Sequence, residues 1–164
     1  MEKKELIELL KQEAKALNVD WCILCAILMN ENEDLRGIDP KTGRLRIRYE
    51  KHVEKRMLKK RIDPNEAYLL ALSYGLPQIM GFNYALCGFK SVREMKEAFA
   101  DEKAHLKIFI TFIKNSSSLY QAIKEKHFAN ISKLYNGAGY MENNYMTRLI
   151  THYNKAKEWN SQDI

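Results

Sequence analysis

Residues 73–89 read SYGLPQIMGFNYALCGF, a stretch that combines residues able to narrow the backbone with neutral hydrogen-bonding side chains. Three glycines and a proline lie among apolar residues, so this backbone can approach another segment closely. Tyr74, Gln78 and Asn83 supply a phenol and two amides at intervals along it. Such uncharged groups suit a sugar better than a phosphate. The stretch therefore predicts a wall of a saccharide site, with Tyr74, Gln78 and Asn83 as candidate substrate-binding residues.

A second cluster of the same composition lies at residues 134–140, which read LYNGAGY. It again combines neutral polar side chains, here Tyr135, Asn136 and Tyr140, with two glycines. We include these three residues among the candidate substrate-binding residues.

The pattern around both clusters is helical. The chain has 164 residues, with only 7 glycines and 3 prolines, which argues against an all-β fold and for one domain over residues 1–164. Apolar residues at helical spacing predict an amphipathic helix over residues 2–17. Asp20 can cap a second helix, Trp21–Glu31, which is apolar nearly all round and is therefore expected to be the buried central helix.

A small β-structure is predicted between this helix and the first cluster. Asp39–Gly43 has the residues of a tight turn. After the turn, Leu45, Ile47 and Tyr49 alternate with charged residues, which is typical of a half-buried strand. We expect a hairpin over residues 36–50.

The other helices are predicted from their starts and spacing. Asp63-Pro64 is a strong helix start, and we expect that helix to run to about Tyr74 and to end at Gly75. Ser91 opens a further helix with a capping box. The remaining predicted helices cover residues 52–60, 102–114, 119–125, 128–135 and 142–158. The fold class is thus mainly α (α+β): multiple short helices around a buried central helix, with a small β-hairpin.

Two carboxyl groups have contrasting environments. Glu31 ends the apolar helix, where loss of solvation is expected to keep it protonated near neutral pH. Glu50 follows Arg46 and Arg48 on the hairpin strand, and the arginines favour its charged form. Glycoside hydrolysis needs such a pair: an acid that protonates the leaving oxygen and a carboxylate that assists water or the sugar cation. A solvated helix end and a surface ion pair are the alternative interpretations.

Other chemistries have little support. The segment WCILC at residues 21–25 resembles a thioredoxin-type motif, but it lies inside an apolar helix, so Cys22, Cys25 and Cys87 are expected to be buried thiols. Glu102 and His105 have helical metal-ligand spacing, but the second copy that a dinuclear site needs is missing. We expect no metal and no cofactor.

The positive charge is concentrated in one segment. Residues 36–61 contain eleven Lys or Arg and three Asp or Glu, a net charge of +8, whereas the whole chain carries +6. Such a segment can meet nucleic acid, anionic lipid or an anionic wall polymer, or it can simply be a solvated face.

The order of these motifs resembles the N-acetylmuramidase family of phage endolysins and prophage-encoded lysozymes. The resemblance covers roughly residues 5–157 and runs through Glu31, YEKH (49–52), SYGLPQIMGFNYALCGF (73–89), DEKAHLKIFITFI (101–113) and YNGAGY (135–140). The GLPQ and YNGAG elements are also similar to those of goose-type lysozymes and lytic transglycosylases.

The resemblance implies a lysozyme-like fold and cleavage of the β-1,4 bond between N-acetylmuramic acid and N-acetylglucosamine in peptidoglycan. It implies that Glu31 is the general acid and that Glu50 and His52 form the family's Glu-x-His element. Gln78, Asn136 and Tyr140 match positions expected to line the sugar cleft. It leaves open whether Glu50 acts through water, stabilises charge or only braces the hairpin.

The chain departs from the family pattern next to the acid. Asn32-Glu33-Asp34 follows Glu31, where the family usually has Ser and Gly, so Glu33 and Asp34, like Asp39 in the turn, are rival candidates for the second carboxylate. Asn30 replaces an apolar residue, and we expect a wetter pocket there.

Two other functions remain open at this stage. One is a lytic transglycosylase on the same fold, in which the muramic acid 6-hydroxyl attacks in place of water. The other is a non-catalytic module that binds cell wall or nucleic acid through residues 36–61. For the enzyme we expect peptidoglycan strands as substrate, no nucleic acid partner and no membrane insertion. We also expect synthesis in the cytoplasm without a signal peptide, and release to the wall by a holin-type partner.

Overall fold

Helices dominate the fold, as the apolar spacing predicts. The computed structural model describes residues 1–159. Its α-helices are α1 (Lys3–Leu17), α2 (Trp21–Glu31), α3 (Lys51–Lys59), α4 (Pro64–Leu70), α5 (Val92–Ala98), α6 (Ala104–Asn115), α7 (Ser117–Lys124), α8 (Phe128–Asn136) and α9 (Tyr145–Glu158). Its strands are β1 (Ile47–Tyr49), β2 (Leu72–Tyr74) and β3 (Ile79–Met80), and short 3₁₀ turns cover Gly81–Asn83 and Ala138–Tyr140. The predicted class, mainly α with a small sheet, is confirmed.

The chain forms two compact units. The first, unit 1, contains Met1–Leu35 and the chain from Ile113 onward, and the second, unit 2, contains Arg36–Phe112. The expectation of a single domain over residues 1–164 stays a prediction, and residues 160–164 lie outside the described part.

Unit 1 is built on α2, the helix that the sequence marks as central. Every residue from Cys22 to Asn30 is buried, and α2 packs against α1 and α9. Its start is held by Asp20, whose carboxylate accepts hydrogen bonds from the backbone N–H of Cys22 (2.9 Å) and from the hydroxyl of Tyr153 (2.9 Å). An N-cap side chain of this kind satisfies an amide at the helix start that has no carbonyl partner.

Unit 2 contains an antiparallel sheet in the order β1-β2-β3. The predicted turn is present, because the Asp39 side chain accepts from the N–H groups of Lys41 and Thr42 and a bridge joins Ile38 to Leu45. The predicted hairpin over residues 36–50 is present only around the turn, where the backbone N–H of Asp39 donates to the Arg44 carbonyl (2.9 Å) and that of Arg46 donates to the Gly37 carbonyl (2.9 Å). Beyond Arg46 the expectation is wrong, because β1 pairs along its length with β2, with Arg48 opposite Ser73.

Two further expectations for unit 2 are wrong. The helix that starts at Asp63 ends at Leu70, and residues 72–74 form a strand because they pair with β1 on one side and β3 on the other. Strand β1 is not half-buried either, because Ile47 and Tyr49 are both 43% exposed. Within the described residues, no helix has the length and hydropathy needed to cross a membrane.

Candidate active site

Glu31 is the last residue of α2, where a buried helix reaches a partly exposed end. Its Oε1 accepts a hydrogen bond of 2.8 Å from the hydroxyl of Tyr145, the first residue of α9. Tyr145 is only 1% exposed. Burial and then the nearby charge of Glu31 raise the pKa of Tyr145 well above its usual range, so the phenol remains a neutral donor.

Asn30 connects the end of α2 to α9. Its Nδ2 donates to the Tyr145 carbonyl (2.9 Å), its Oδ1 accepts from Nδ1 of His152 (2.7 Å), and its own carbonyl accepts from the guanidinium of Arg148 (3.0 Å). Asn30 is 8% exposed. The Asn30 amide is thus a buried cross-link between the end of α2 and α9, next to Glu31, and the expectation of a wetter pocket stays a prediction.

His152 completes this connection as a neutral ring. The Asn30 amide already donates its N–H to Tyr145, so its oxygen faces His152, and Nδ1 of His152 carries the proton. Burial lowers the pKa of His152, although the charge of Glu33 opposes this. The sequence reasoning missed Tyr145, Arg148 and His152; their spacing of three and seven residues, which places them on one face of α9, was the available signal.

The LYNGAGY cluster reaches the same network. Oδ1 of Asn136 accepts from Nδ2 of Asn143 (3.0 Å), and Oδ1 of Asn143 accepts from the backbone N–H of Tyr145 (3.1 Å). Tyr135 is close enough to raise the pKa of Tyr145, and Tyr140 is partly exposed in the second 3₁₀ turn. Unit 1 thus brings Glu31, Tyr135 and Asn136 together around Tyr145.

The Glu-x-His element lies in unit 2. Glu50 is the N-cap residue of α3, directly after β1, and its Oε2 lies 3.7 Å from Nδ1 of His52. The His52 side chain is 75% exposed. The backbone N–H of Glu50 donates to the carbonyl of Ala71 (2.9 Å), so the adjoining sheet holds this position. Both side chains are thus accessible next to the sheet, and their catalytic and binding roles stay predictions.

Gln78 braces the turn between β2 and β3. Its Nε2 donates to the carbonyls of Gly75 (2.9 Å) and Arg46 (3.2 Å), and its Oε1 accepts from the hydroxyl of Ser73 (2.8 Å). Its backbone is left-handed, with φ at 49°. These bonds use both amide protons, so the side chain holds its own backbone, and a sugar contact by Gln78 stays a prediction.

Tyr74 does not belong to a substrate surface. It is 0% exposed, its hydroxyl donates to the carbonyl of Leu69 (2.7 Å), and its ring stacks on Phe99 with centroids 5.9 Å apart. The prediction of Tyr74 as a sugar ligand is wrong, because the alternation of β2 turns this side chain into the core of unit 2. Asn83, in the first 3₁₀ turn, is partly exposed and stays a candidate.

His105 is the centre of the packing behind the β2–β3 turn. It is 0% exposed; its Nδ1 accepts from the backbone N–H of Leu76 (3.2 Å), and its Nε2 donates to the carbonyl of Phe99 (2.8 Å). A Cβ added at Gly75 would lie 2.9 Å from this ring, so the glycine permits the close approach that the sequence predicted.

Metal and thiol chemistry find no support in the described residues. No group of three or more His, Cys, Asp or Glu side chains within residues 1–159 could hold a metal ion. The three cysteines are free and buried, and burial, with the neighbouring Cys22, raises the pKa of Cys25 to about 12. A thiol with that pKa is a poor nucleophile at neutral pH.

Comparison with known proteins gives a consistent result. A structural search finds a Burkholderia AP3 phage endolysin with a TM-score of 0.74 and 25% sequence identity, over 91% of this chain and 69% of that one. Its likeness supports the lysozyme-like fold that the motif order implied. Among curated proteins, none matches this chain significantly.

The family model of N-acetylmuramidases matches residues 60–157. This range contains the Gln78 turn, Asn136 and the Tyr145 side chain that holds Glu31, and it is more than half of the chain. Glu31, Glu50 and His52 precede it. From residue 60 onward the match and the geometry agree, and the chain belongs to the N-acetylmuramidase family.

Proposed function

We propose that this chain hydrolyses the β-1,4 bond between N-acetylmuramic acid and N-acetylglucosamine, with Glu31 as the general acid. Family membership supports the coarser statement, a glycoside hydrolase that acts on peptidoglycan. The match begins after Glu31, so the choice of acid needs separate support. The hydrogen bond from the buried Tyr145 hydroxyl to Glu31 supplies it.

A general acid must present its proton in a fixed direction. Tyr145 donates to Oε1, and Asn30 holds both the end of α2 and the carbonyl of Tyr145. We propose that the Glu31 carboxyl group, oriented in this way, carries the transferable proton. The glycosidic oxygen then receives that proton as the bond to the anomeric carbon breaks, and Glu31 leaves the step as a carboxylate that the Tyr145 hydroxyl stabilises.

Glu50 is our preferred candidate for the second group, with Glu33, Asp34 and Asp39 as alternatives. Its carboxylate lies beside the His52 ring, and α3 begins directly after it. In that role it would activate the attacking water or stabilise the positive sugar. His52, Gln78, Asn83, Tyr135, Asn136 and Tyr140 are the proposed sugar contacts.

The test is digestion of purified peptidoglycan by the wild type and by Glu31→Gln, with the products identified by mass spectrometry. We expect reducing muramic acid ends from the wild type and a loss of rate of about 10²–10⁴-fold in Glu31→Gln, because the amide cannot donate that proton. Glu13→Gln, which changes an exposed carboxyl group on α1, is the matched control and should retain most of the rate.

Other product patterns distinguish the alternatives. Anhydro-muramic acid ends would identify a lytic transglycosylase, and intact glycan from the wild type would contradict the enzyme. Full activity of Glu31→Gln would show that another residue is the general acid. Among the rival carboxyl groups, Glu50→Gln should cost the most activity, and a larger loss in Glu33→Gln, Asp34→Asn or Asp39→Asn would reassign the second role.

A further inference from the structure

Exposed apolar side chains are concentrated in unit 2. Ten large apolar residues are exposed within residues 1–159, and six of them lie between Ile47 and Leu86. They are Ile47, Tyr49, Leu58, Tyr68, Phe82 and Leu86. Scattered single apolar residues are common on protein surfaces, whereas a concentration of this kind indicates a surface that binds a protein, a membrane or an apolar ligand.

Four of these six form one continuous face. The rings of Tyr49 and Tyr68 lie 5.6 Å apart, and the Tyr49 hydroxyl donates to Glu54 of α3 (3.0 Å). Leu58 follows Glu54 by one helical turn, and Ile47 lies on the same side of β1 as Tyr49. Their exposed fractions are 41–48%. We name these four residues, with the flanking Lys55 and Lys59, the basic aromatic face.

The charge around this face is strongly positive. It lies within residues 36–61, which carry a net charge of +8. On α3, Val53 and Met57 face inward, whereas Lys55 and Lys59 are exposed beside Leu58. The helix is therefore amphipathic, but Leu58 belongs to its charged, outward side. If this side of α3 were only a solvated face, a leucine at position 58 would contribute nothing to its solvation.

We propose that the basic aromatic face binds the surface of an anionic phospholipid bilayer. Lysines attract the acidic headgroups, tyrosines prefer the boundary between headgroup and acyl chain, and short aliphatic side chains enter that boundary. Nucleic acid and anionic wall polymers would satisfy the lysines but would leave Ile47 and Leu58 in water. A second copy of the chain would place +8 against +8. This binding does not depend on the proposed catalytic function.

Co-sedimentation of the full chain with vesicles tests the proposal. Vesicles of phosphatidylglycerol and phosphatidylcholine in a one-to-two ratio should bind it, and vesicles of phosphatidylcholine alone should not. The double variant Lys55→Gln/Lys59→Gln should weaken binding roughly 25-fold, because each lysine close to such a surface contributes about a fivefold factor. Lys96→Gln/Lys107→Gln, an equal loss of charge from exposed positions elsewhere in unit 2, should weaken it less than about threefold.

A second pair separates lipid from other anions. Leu58→Ser/Tyr68→Ser keeps the net charge and should weaken vesicle binding by about tenfold while circular dichroism and peptidoglycan digestion stay unchanged. Three results would overturn the proposal: no binding to anionic vesicles, equal losses in the two lysine pairs, or wild-type binding by Leu58→Ser/Tyr68→Ser. Tighter retention on duplex DNA than on anionic vesicles would likewise overturn it and assign the charge to nucleic acid.

Discussion

Tyr145 contacts the proposed acid, Glu31, through one hydroxyl group. A single substitution can therefore remove this hydrogen bond and leave the rest of the side chain in place. Tyr145→Phe keeps the buried ring and removes only the donor to Glu31. A hydrogen bond to a charged group is worth about 1.5–3 kcal/mol, so we expect kcat to fall roughly 10- to 100-fold with little change in KM. Because the lost donor stabilised the carboxylate, the alkaline limb of the pH–activity profile should move to higher pH.

Tyr153→Phe is the matched control, because it removes a hydroxyl from the same helix that donates to Asp20 and not to Glu31. It should lower stability without a shift in the pH profile. If Tyr153→Phe and Tyr145→Phe lower kcat equally and leave both limbs in place, the Tyr145 hydroxyl has only a structural role.

His105 gives the fold a dependence on pH. Burial, opposed by the Phe99 carbonyl and by the charges of Glu102 and Asp101, lowers the pKa of His105 below the ordinary 6.5. The unfolded chain therefore takes up a proton first, and the contribution of His105 to stability declines as the pH falls below about 6.5. We expect His105→Gln to lose less of its free energy of unfolding than the wild type between about pH 8 and about pH 5.

Urea unfolding at the two pH values measures this difference. His52→Gln serves as the control, because the His52 side chain is 75% exposed, and its change between the two pH values should follow the wild type. Parallel losses in the wild type and His105→Gln would mean that other groups, among them His152 with its lowered pKa, carry the whole effect.

The residue contacts that sequence could predict are the short-range ones. The capping roles of Asp20, Asp63 and Ser91 depend on neighbours two or three residues away, and all three are confirmed. The contact between Glu31 and Tyr145 joins positions 114 residues apart, so no local sequence pattern could predict it.

At the scale of elements, the β2–β3 turn depends on Gly75. Its φ is +68°, and an added Cβ would lie 2.7 Å from the Phe99 ring and 2.9 Å from His105. Gly75→Ala should therefore destabilise the chain by about 3 kcal/mol or more, since strain of about 1–2 kcal/mol adds to the overlap. Gly43→Ala shares the positive φ of 67° but has no atom within 4 Å of its Cβ, and it should cost about 1–2 kcal/mol.

Thermal and urea unfolding of both variants check this difference. Equal losses of stability in the two variants would show that the positive φ alone accounts for the destabilisation by Gly75→Ala. The Phe99 and His105 rings would then move aside without a measurable loss of free energy. A larger loss at Gly43 would contradict both parts of the argument.

The elements that sequence predicted correctly are those with their own apolar period. Helices α1 and α9 are examples, because spacing within one segment decides their form. The residues of strand β2 fall within the helix predicted from Asp63, since Leu69–Leu72 is compatible with either state. This segment is a strand because it pairs with Tyr49 on one side and with Ile79 on the other. The sequence of one segment cannot predict such pairing with distant residues.

At the scale of the whole molecule, the chain ends together form unit 1, and the segment between them forms unit 2. Both tryptophans, Trp21 and Trp159, lie in unit 1, whereas α3, α4 and α5 lie in unit 2. Tryptophan fluorescence therefore reports on one unit and far-UV circular dichroism on both. If residues 1–164 are one domain, as the length and composition predict, the two signals should follow one urea transition.

Gly75→Ala tests whether a loss of stability in unit 2 also lowers the stability of unit 1. The substitution lies in unit 2, so its damage reaches the tryptophans only if the units unfold together. In one cooperative domain, the fluorescence midpoint should fall by the same amount as the circular dichroism midpoint. A fluorescence transition that stays at its wild-type midpoint while part of the helical signal is lost earlier would instead make each unit a domain, because the free energy lost at Gly75 would then not reach Trp21 and Trp159.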